Sequence, residues 1–174
     1  MSILTKKLVL ALCLLSFIGL AQKTNKYTVS GKVTRTSSYC GGAAPSEEIL
    51  AGYANPSPYS GKTFYVRKGN TNDIKKAVVL KFKADSSGSF SFQLSPGIYS
   101  IIQEEQVKAL ALKKYSSTEF IQVDQSCLKS WWKKPYMILT IKDKDIVDLN
   151  FNFYHACFIS GDIPCMNYNG PMPP

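Results

Sequence analysis

Hydrophobic and polar residues alternate along most of the chain, which is the pattern of β-strands, because successive side chains of a strand point to opposite faces. The first alternating stretch runs from Tyr27 to Arg35 and places Val29 and Val33 on one face and Lys32 on the other. Similar stretches predict six further short strands over residues 64–67, 74–83, 90–94, 98–103, 136–141 and 146–154. Seven or so short strands in one chain predict an all-β fold, a β-sandwich.

The same alternation predicts which residues of three later strands face the core: Val78, Leu80 and Phe82; Tyr99 and Ile101; and Val147, Leu149, Phe151 and Phe153. Turn-forming residues separate the strands. Asp85 to Gly88 predicts a tight turn, since Asp supplies a side-chain acceptor and Gly a permissive backbone. Pro96-Gly97 predicts a second turn, and the polar residues 142–145 predict a hairpin between the last two strands.

Three segments break the alternation. Residues 37–60 are rich in Gly, Ser and Pro and predict a long loop, and the Pro-rich tail 160–174 predicts an extended segment. Within the insertion 104–135, residues 107–114 fit helical and strand periodicity equally well. Asp124 followed by a short run ending at Pro135 predicts a capped helix.

The first 21 residues have the pattern of a secretory leader. Lys6 and Lys7 precede an apolar run that is too short for a membrane-spanning helix, and the small residues Gly19 and Ala21 predict cleavage between Ala21 and Gln22. We therefore expect a secreted or periplasmic protein whose single domain comprises residues 22–174.

Loss of the leader changes the composition. The full chain has 174 residues, five cysteines and a net charge of +9; without Lys6, Lys7 and Cys13, the 153 remaining residues have four cysteines and a charge of +7. An even number of cysteines in an oxidising compartment predicts two disulfides. Three pairings are open, and the short spacing permits Cys157–Cys165, which would leave Cys40–Cys127. The alternative is a metal-binding protein with these ligands: Cys40, Cys127, His155, Cys157 and Cys165.

The most specific motif covers residues 85–101, which read DSSGSFSFQLSPGIYSI. It resembles the corresponding segment of the carboxypeptidase regulatory-like, transthyretin-like (prealbumin-like) β-sandwich, as found in small exported proteins of the Bacteroidetes type. Ser30–Val33 and the last strand, 148–153, resemble that family's first and closing strands. The likeness covers about half of the mature chain and implies a non-catalytic domain, since the regulatory-like domain lacks the metal site of its peptidase partner.

The resemblance also implies where the cysteines lie. In transthyretin-like sandwiches the first strand and a late strand are parallel neighbours, which would place Cys40 near Cys157. The hairpin then brings Cys127 to the same end. We therefore expect all four cysteines and His155 at one pole of the sandwich.

The candidate ligand-binding residues are Trp131, Trp132, Lys133 and Lys134. An exposed Trp can stack on a sugar ring, and adjacent lysines attract anionic groups. The structural interpretation is that the helix buries one Trp while the lysines stay in water. We expect an envelope partner, an anionic glycan or a protein, and no nucleic acid, because the lysines are spread over solvent-facing positions without a recognition motif. We expect a monomer.

The sequence does not favour catalysis. One histidine cannot build an H-E-x-x-H site, and no G-x-S-x-G or paired-carboxylate motif occurs. We expect no enzyme and no cofactor, but a binding or structural module at the cell envelope. A Lys–Asn isopeptide bond would need Lys32 and Asn150 or Asn152 to be buried, and the alternation places all three facing outward.

Overall fold

The computed structural model describes residues 25–159 and 161–171; the leader and its cleavage site lie outside them. The strands of this part of the chain are β1 (Tyr27–Ser37), β2 (Ser57–Pro58), β3 (Thr63–Lys68), β4 (Val78–Lys83), β5 (Ser89–Leu94), β6 (Gly97–Gln103), β7 (Ile121–Val123), β8 (Met137–Ile141), β9 (Ile146–His155) and β10 (Met166–Tyr168). Its helices are α1 (Glu47–Ala54) and α2 (Gln125–Lys133), and two 3-10 turns cover Glu104–Val107 and Leu112–Lys114.

Two four-stranded sheets form the body of the molecule. In the first sheet β1 pairs antiparallel with β5 and β2 along one edge and parallel with β9 along the other. The second sheet has the antiparallel order β4-β3-β6-β8. A small two-stranded sheet joins β7 to β10. The prediction of an all-β sandwich is confirmed.

The main core fills the space between the two large sheets. Phe64 is fully buried and stacks on Phe82 within the second sheet, and Phe151 stacks on Phe90 within the first. Aromatic pairs of this kind contribute about 0.5–1.5 kcal/mol beyond the area that they bury. The alternation of β5 is confirmed, because Phe90, Phe92 and Leu94 are all buried.

The last long strand departs from the predicted alternation. Val147 is 65% exposed rather than inward, whereas Phe151 and Phe153 are buried as predicted. The cause is a bulge: Asp148 has a φ of 60°, and the pairing with β1 shifts between Val29 and Gly31. An extra residue reverses which side chains face inward before the bulge.

The bulge also explains Gly31. A Cβ atom at this position would lie 1.8 Å from the carbonyl oxygen of Leu149, so β1 and β9 can approach this closely only at a glycine. Gly31 is therefore a requirement of strand packing.

Other boundaries differ from the sequence prediction. β4 begins only at Val78, which is 36% exposed rather than inward. The predicted loop 37–60 contains α1, which Ser46 caps at its N-terminus and which buries none of its side chains. Residues 107–114 form no α-helix or strand but lie between and within the two 3-10 turns, and the tail contributes β10.

A second hydrophobic cluster lies outside the sandwich core. Leu128 is fully buried in it, together with four partners that α2, β7 and the tail supply: Val123, Trp132, Ile163 and Cys165. Neither helix of the described residues has the length and apolar character needed to cross a membrane.

Candidate functional site

Two disulfides tie the loops to the sandwich, Cys40–Cys157 and Cys127–Cys165. The parallel register of β1 and β9 ends at Ser37 opposite His155, so the segments that continue from both strands run side by side to the first pair. The parallel arrangement implied by the family resemblance is therefore present. The pairing Cys157–Cys165, which the spacing permitted, is not formed.

The second disulfide follows from the small sheet. The backbone N–H of Asp124 donates to the carbonyl of Cys165 at 3.0 Å, and Asp124 caps α2, which carries Cys127 in its first turn. Pairing of β10 with β7 thus places the two cysteines together.

The metal-binding alternative is not favoured by this geometry. All four cysteines that it requires are oxidised, which leaves His155 alone of the proposed ligand set. No group of three or more His, Cys, Asp and Glu side chains that could hold a metal occurs within residues 25–159 and 161–171.

The residues of the predicted ligand-binding segment lie on different surfaces. Trp132 is buried in the second cluster, and its indole N–H donates to the Lys108 carbonyl at 2.7 Å. Trp131 is half-buried and meets Trp132 edge to face. Lys133 and Lys134 are exposed. No single face of α2 therefore presents both indoles to solvent.

Trp132 nevertheless lines a cleft that lies between α2 and the β3–β4 loop. We call it the α2 cleft. It has a volume of about 660 Å³ and is lined by Thr71, Asn72, Asp73, Ile74, Ala109, Leu110, Lys129, Trp132 and Lys133. Lys129 and Lys133 are one helical turn apart and share a face of α2. Ile74 is 50% exposed, so the cleft combines apolar surface with two cations and one carboxylate.

Buried polar side chains hold this cleft in shape. Asn72 donates from its side-chain amide to the carbonyls of Gln106 and Trp132, both at 2.9 Å, while its Oδ1 is buried without a hydrogen-bond partner. The Arg67 guanidinium donates to the carbonyls of Asp73 at 3.0 Å and Val107 at 2.7 Å. The loop and the 3-10 segment are thus fastened to each other on both sides.

Sequence reasoning missed a buried ionic cluster. Lys62 is buried immediately before β3, where its ammonium group contacts the carboxylate of Asp162 and donates to Gln103 Oε1 at 3.0 Å. The Tyr59 hydroxyl donates to the same Asp162 oxygen at 3.0 Å. A lysine beside a short strand normally indicates a solvent-exposed position, so no signal in the sequence points to this site.

The residues considered for a Lys–Asn isopeptide bond face outward. Lys32 is opposite Asn150 in the β1–β9 register, but Lys32, Asn150 and Asn152 are all exposed. The outward orientation predicted for them is confirmed.

Comparisons with known proteins add a distant structural likeness. No protein-family model matches the chain, and no curated protein sequence matches it. Among solved structures, it is similar to the TIE protein of Bacillus anthracis, with 11% identity, a TM-score of 0.36, and coverage of 75% of this chain and 17% of the other.

Two pilins are similar to the same degree. The major pilin subunit BcpA of Bacillus cereus has 12% identity and a TM-score of 0.36, with 75% and 28% of the two chains covered. A minor pilin of Streptococcus agalactiae has 13% identity and a TM-score of 0.33, with 80% and 48% covered. The chain thus spans less than half the length of each of these proteins. The class that the protein's own sheets define is a disulfide-bonded β-sandwich.

Proposed function

We propose that this chain is an exported, non-catalytic β-sandwich module of the carboxypeptidase regulatory-like, transthyretin-like kind, which binds an acidic glycan of the cell envelope in the α2 cleft. The observation that carries the proposal is the pairing of Lys129 and Lys133 at the rim of an apolar cleft that Trp132 lines. This is the segment whose Trp-Lys composition suggested a ligand site.

The lining of the cleft complements both the apolar ring faces and the carboxylate groups of an acidic sugar. The apolar faces of sugar rings pack on aromatic and aliphatic side chains, here Trp132, Ile74 and Leu110. Carboxylate groups of the glycan would accept charge-assisted hydrogen bonds from Lys129 and Lys133.

Catalysis is left out of the proposal for a chemical reason. The ionisable groups that line the cleft are Asp73, Lys129 and Lys133, which give no nucleophile paired with a base. The four cysteines are oxidised and offer no thiolate. The proposal also includes secretion after cleavage at Ala21, a monomeric state and no binding of nucleic acid.

Calorimetry with oligogalacturonate, a linear chain of uronic acids, tests this function. We expect saturable binding that weakens with salt, whereas a neutral dextran of the same length binds poorly. The double variant Lys129→Ala/Lys133→Ala should weaken binding roughly tenfold or more, because two charge-assisted contacts are lost.

The matched control is Lys142→Ala/Lys144→Ala, which removes the same charge from the exposed β8–β9 hairpin. It should keep wild-type affinity. Equal weakening by both double variants would mean attraction to net charge alone, and no binding of the uronate by the wild type would reject the proposed ligand.

A further inference from the structure

The ionic cluster around Lys62 is buried to an unusual degree for a charged pair. The side chains of Lys62 and Asp162 are 7% and 4% exposed. The ammonium nitrogen lies 4.8 Å from the centre of the Phe153 ring and 5.6 Å from that of Tyr59, so aromatic faces surround the contact. None of these residues lines the α2 cleft or belongs to a disulfide.

Burial makes the separate charges of such a pair costly. Taking both ions out of water costs several kcal/mol per ion, which mutual attraction only partly offsets. Transfer of one proton from Lys62 Nζ to the Asp162 carboxylate gives a neutral amine beside a carboxylic acid and removes both charges without an external proton. These are the two reactants of amide formation, already in contact.

We propose that Lys62 and Asp162 become joined by an intramolecular isopeptide bond. The lone pair of the neutral Nζ attacks the carboxyl carbon of Asp162, a C–N bond forms, and the C–OH bond breaks. One proton from the nitrogen leaves with the hydroxyl group as water. The overall change is amine plus acid to amide plus one water, with no oxidant, reductant or cofactor.

The neighbouring groups are placed to assist each part of this step. Gln103 Oε1 accepts one N–H of Lys62 at 3.0 Å and orients the amine. Tyr59 donates to Asp162 Oδ2 at 3.0 Å, the oxygen that takes the proton of Lys62 and later leaves in water, so the phenol assists this departure as a hydrogen-bond donor. Burial, followed by the charge of Asp162, raises the pKa of Tyr59 to about 12, so this phenol stays protonated at neutral pH.

A second carboxyl group, that of Glu105, acts on the cluster through its charge. Glu105 Oε2 is buried without a hydrogen-bond partner, and the charge of Glu105 also acts on Tyr59. This negative charge is one of the causes that raise the pKa of Tyr59 and keep its phenol protonated.

The bond would close a loop between residues that are 100 positions apart and fasten the segment before β10 to the start of β3. This position differs from the Lys32–Asn150 pair considered from the sequence, which is exposed. The proposal does not depend on the proposed glycan binding.

Intact mass under denaturing conditions tests the bond directly. The protein is purified after export, reduced and alkylated, and we expect a mass one water below that of its sequence. Lys62→Ala should restore the sequence mass, while the control Lys32→Ala keeps the deficit. Digestion of the wild type should yield one branched peptide that contains both Lys62 and Asp162.

Two other dehydrations are distinguishable. Cyclisation of an N-terminal Gln22 removes ammonia rather than water and is unaffected by Lys62→Ala. A succinimide at Asp162 alone would leave Lys62 cleavable and would overturn the proposal. So would a wild type at full sequence mass, with Lys62 and Asp162 on separate peptides, which would define the cluster as an ion pair only. The wild-type measurement decides the matter even where the variant fails to fold.

Discussion

At the scale of single residues, the turn between β4 and β5 shows how local chemistry specifies a conformation. The Asp85 carboxylate accepts hydrogen bonds from the backbone N–H groups of Ser87 at 2.8 Å and Ser89 at 2.9 Å. Gly88 adopts a φ of 76°, and a Cβ there would lie 2.4 Å from the Val33 carbonyl oxygen. The DSSG motif is thus a structural requirement of the turn.

The hydrogen bonds of Asp85 predict a pH dependence of stability. The Ser87 hydroxyl first, and then the two backbone N–H groups, hold the pKa of Asp85 below its ordinary value. Because the folded pKa is lowered, this stabilisation is present above the unfolded-state pKa and is lost as pH falls through the folded one.

Urea unfolding of the wild type and Asp85→Ala checks this expectation. The variant should be less stable at neutral pH, and the difference should shrink as the pH falls below about 4. Asp143→Ala, in the exposed β8–β9 hairpin, is the control. A gap that stays constant over this pH range would contradict the assignment.

At the scale of elements, Gln106 fastens α2 to the sandwich. Its fully buried side-chain amide donates to the carbonyls of Trp131 at 2.7 Å and Lys134 at 2.8 Å, which are acceptors at the end of the helix. Its Oε1 accepts the backbone N–H of Gln103 at 3.0 Å. One side chain therefore connects the end of β6 with the end of α2.

Gln106→Leu keeps a similar volume and removes all three hydrogen bonds. We expect the free energy of unfolding to fall by about 2–4 kcal/mol, because buried backbone groups lose their partners. Gln93→Leu makes the same chemical change on the exposed face of β5 and should cost little. A Gln106→Leu protein within about 0.5 kcal/mol of wild type in urea unfolding would exclude this role.

At the scale of the whole molecule, the two disulfides stabilise different parts of the protein. Cys40–Cys157 spans 117 residues and joins the ends of two sandwich strands, whereas Cys127–Cys165 spans 38 residues and lies in the second hydrophobic cluster. Loop-closure entropy predicts contributions of about 5 and about 4 kcal/mol.

The two tryptophans distinguish these roles, since both lie on α2 in or against the second cluster. When Cys127 and Cys165 are replaced by Ala, the urea transition followed by tryptophan fluorescence should have a lower midpoint than the transition followed by the β-sheet circular dichroism. Replacing Cys40 and Cys157 by Ala should shift both signals together. Coincident fluorescence and circular dichroism transitions in the Cys127/Cys165 variant would contradict this assignment.

The sequence alone determined the features whose causes are local. Period-2 alternation identified the long strands, the DSSG motif identified the β4–β5 turn, and Asp124 with Pro135 bounded α2. These predictions succeeded because strand alternation, turn geometry and helix capping depend on residues within a few positions of one another. An even cysteine number after a predicted secretory leader likewise predicted that disulfides form.

Only the tertiary structure decided which distant residues meet. Parallel pairing of β1 with β9 selected Cys40–Cys157 over the pairing that the short spacing permitted, and the bulge at Asp148 turned Val147 outward. Lys62 and Asp162 have no local signal of burial, and Lys129 joins Lys133 and Trp132 in a cleft only because the β3–β4 loop packs on α2. Each of these contacts depends on sheet register and chain crossing, which the pattern of a single segment does not contain.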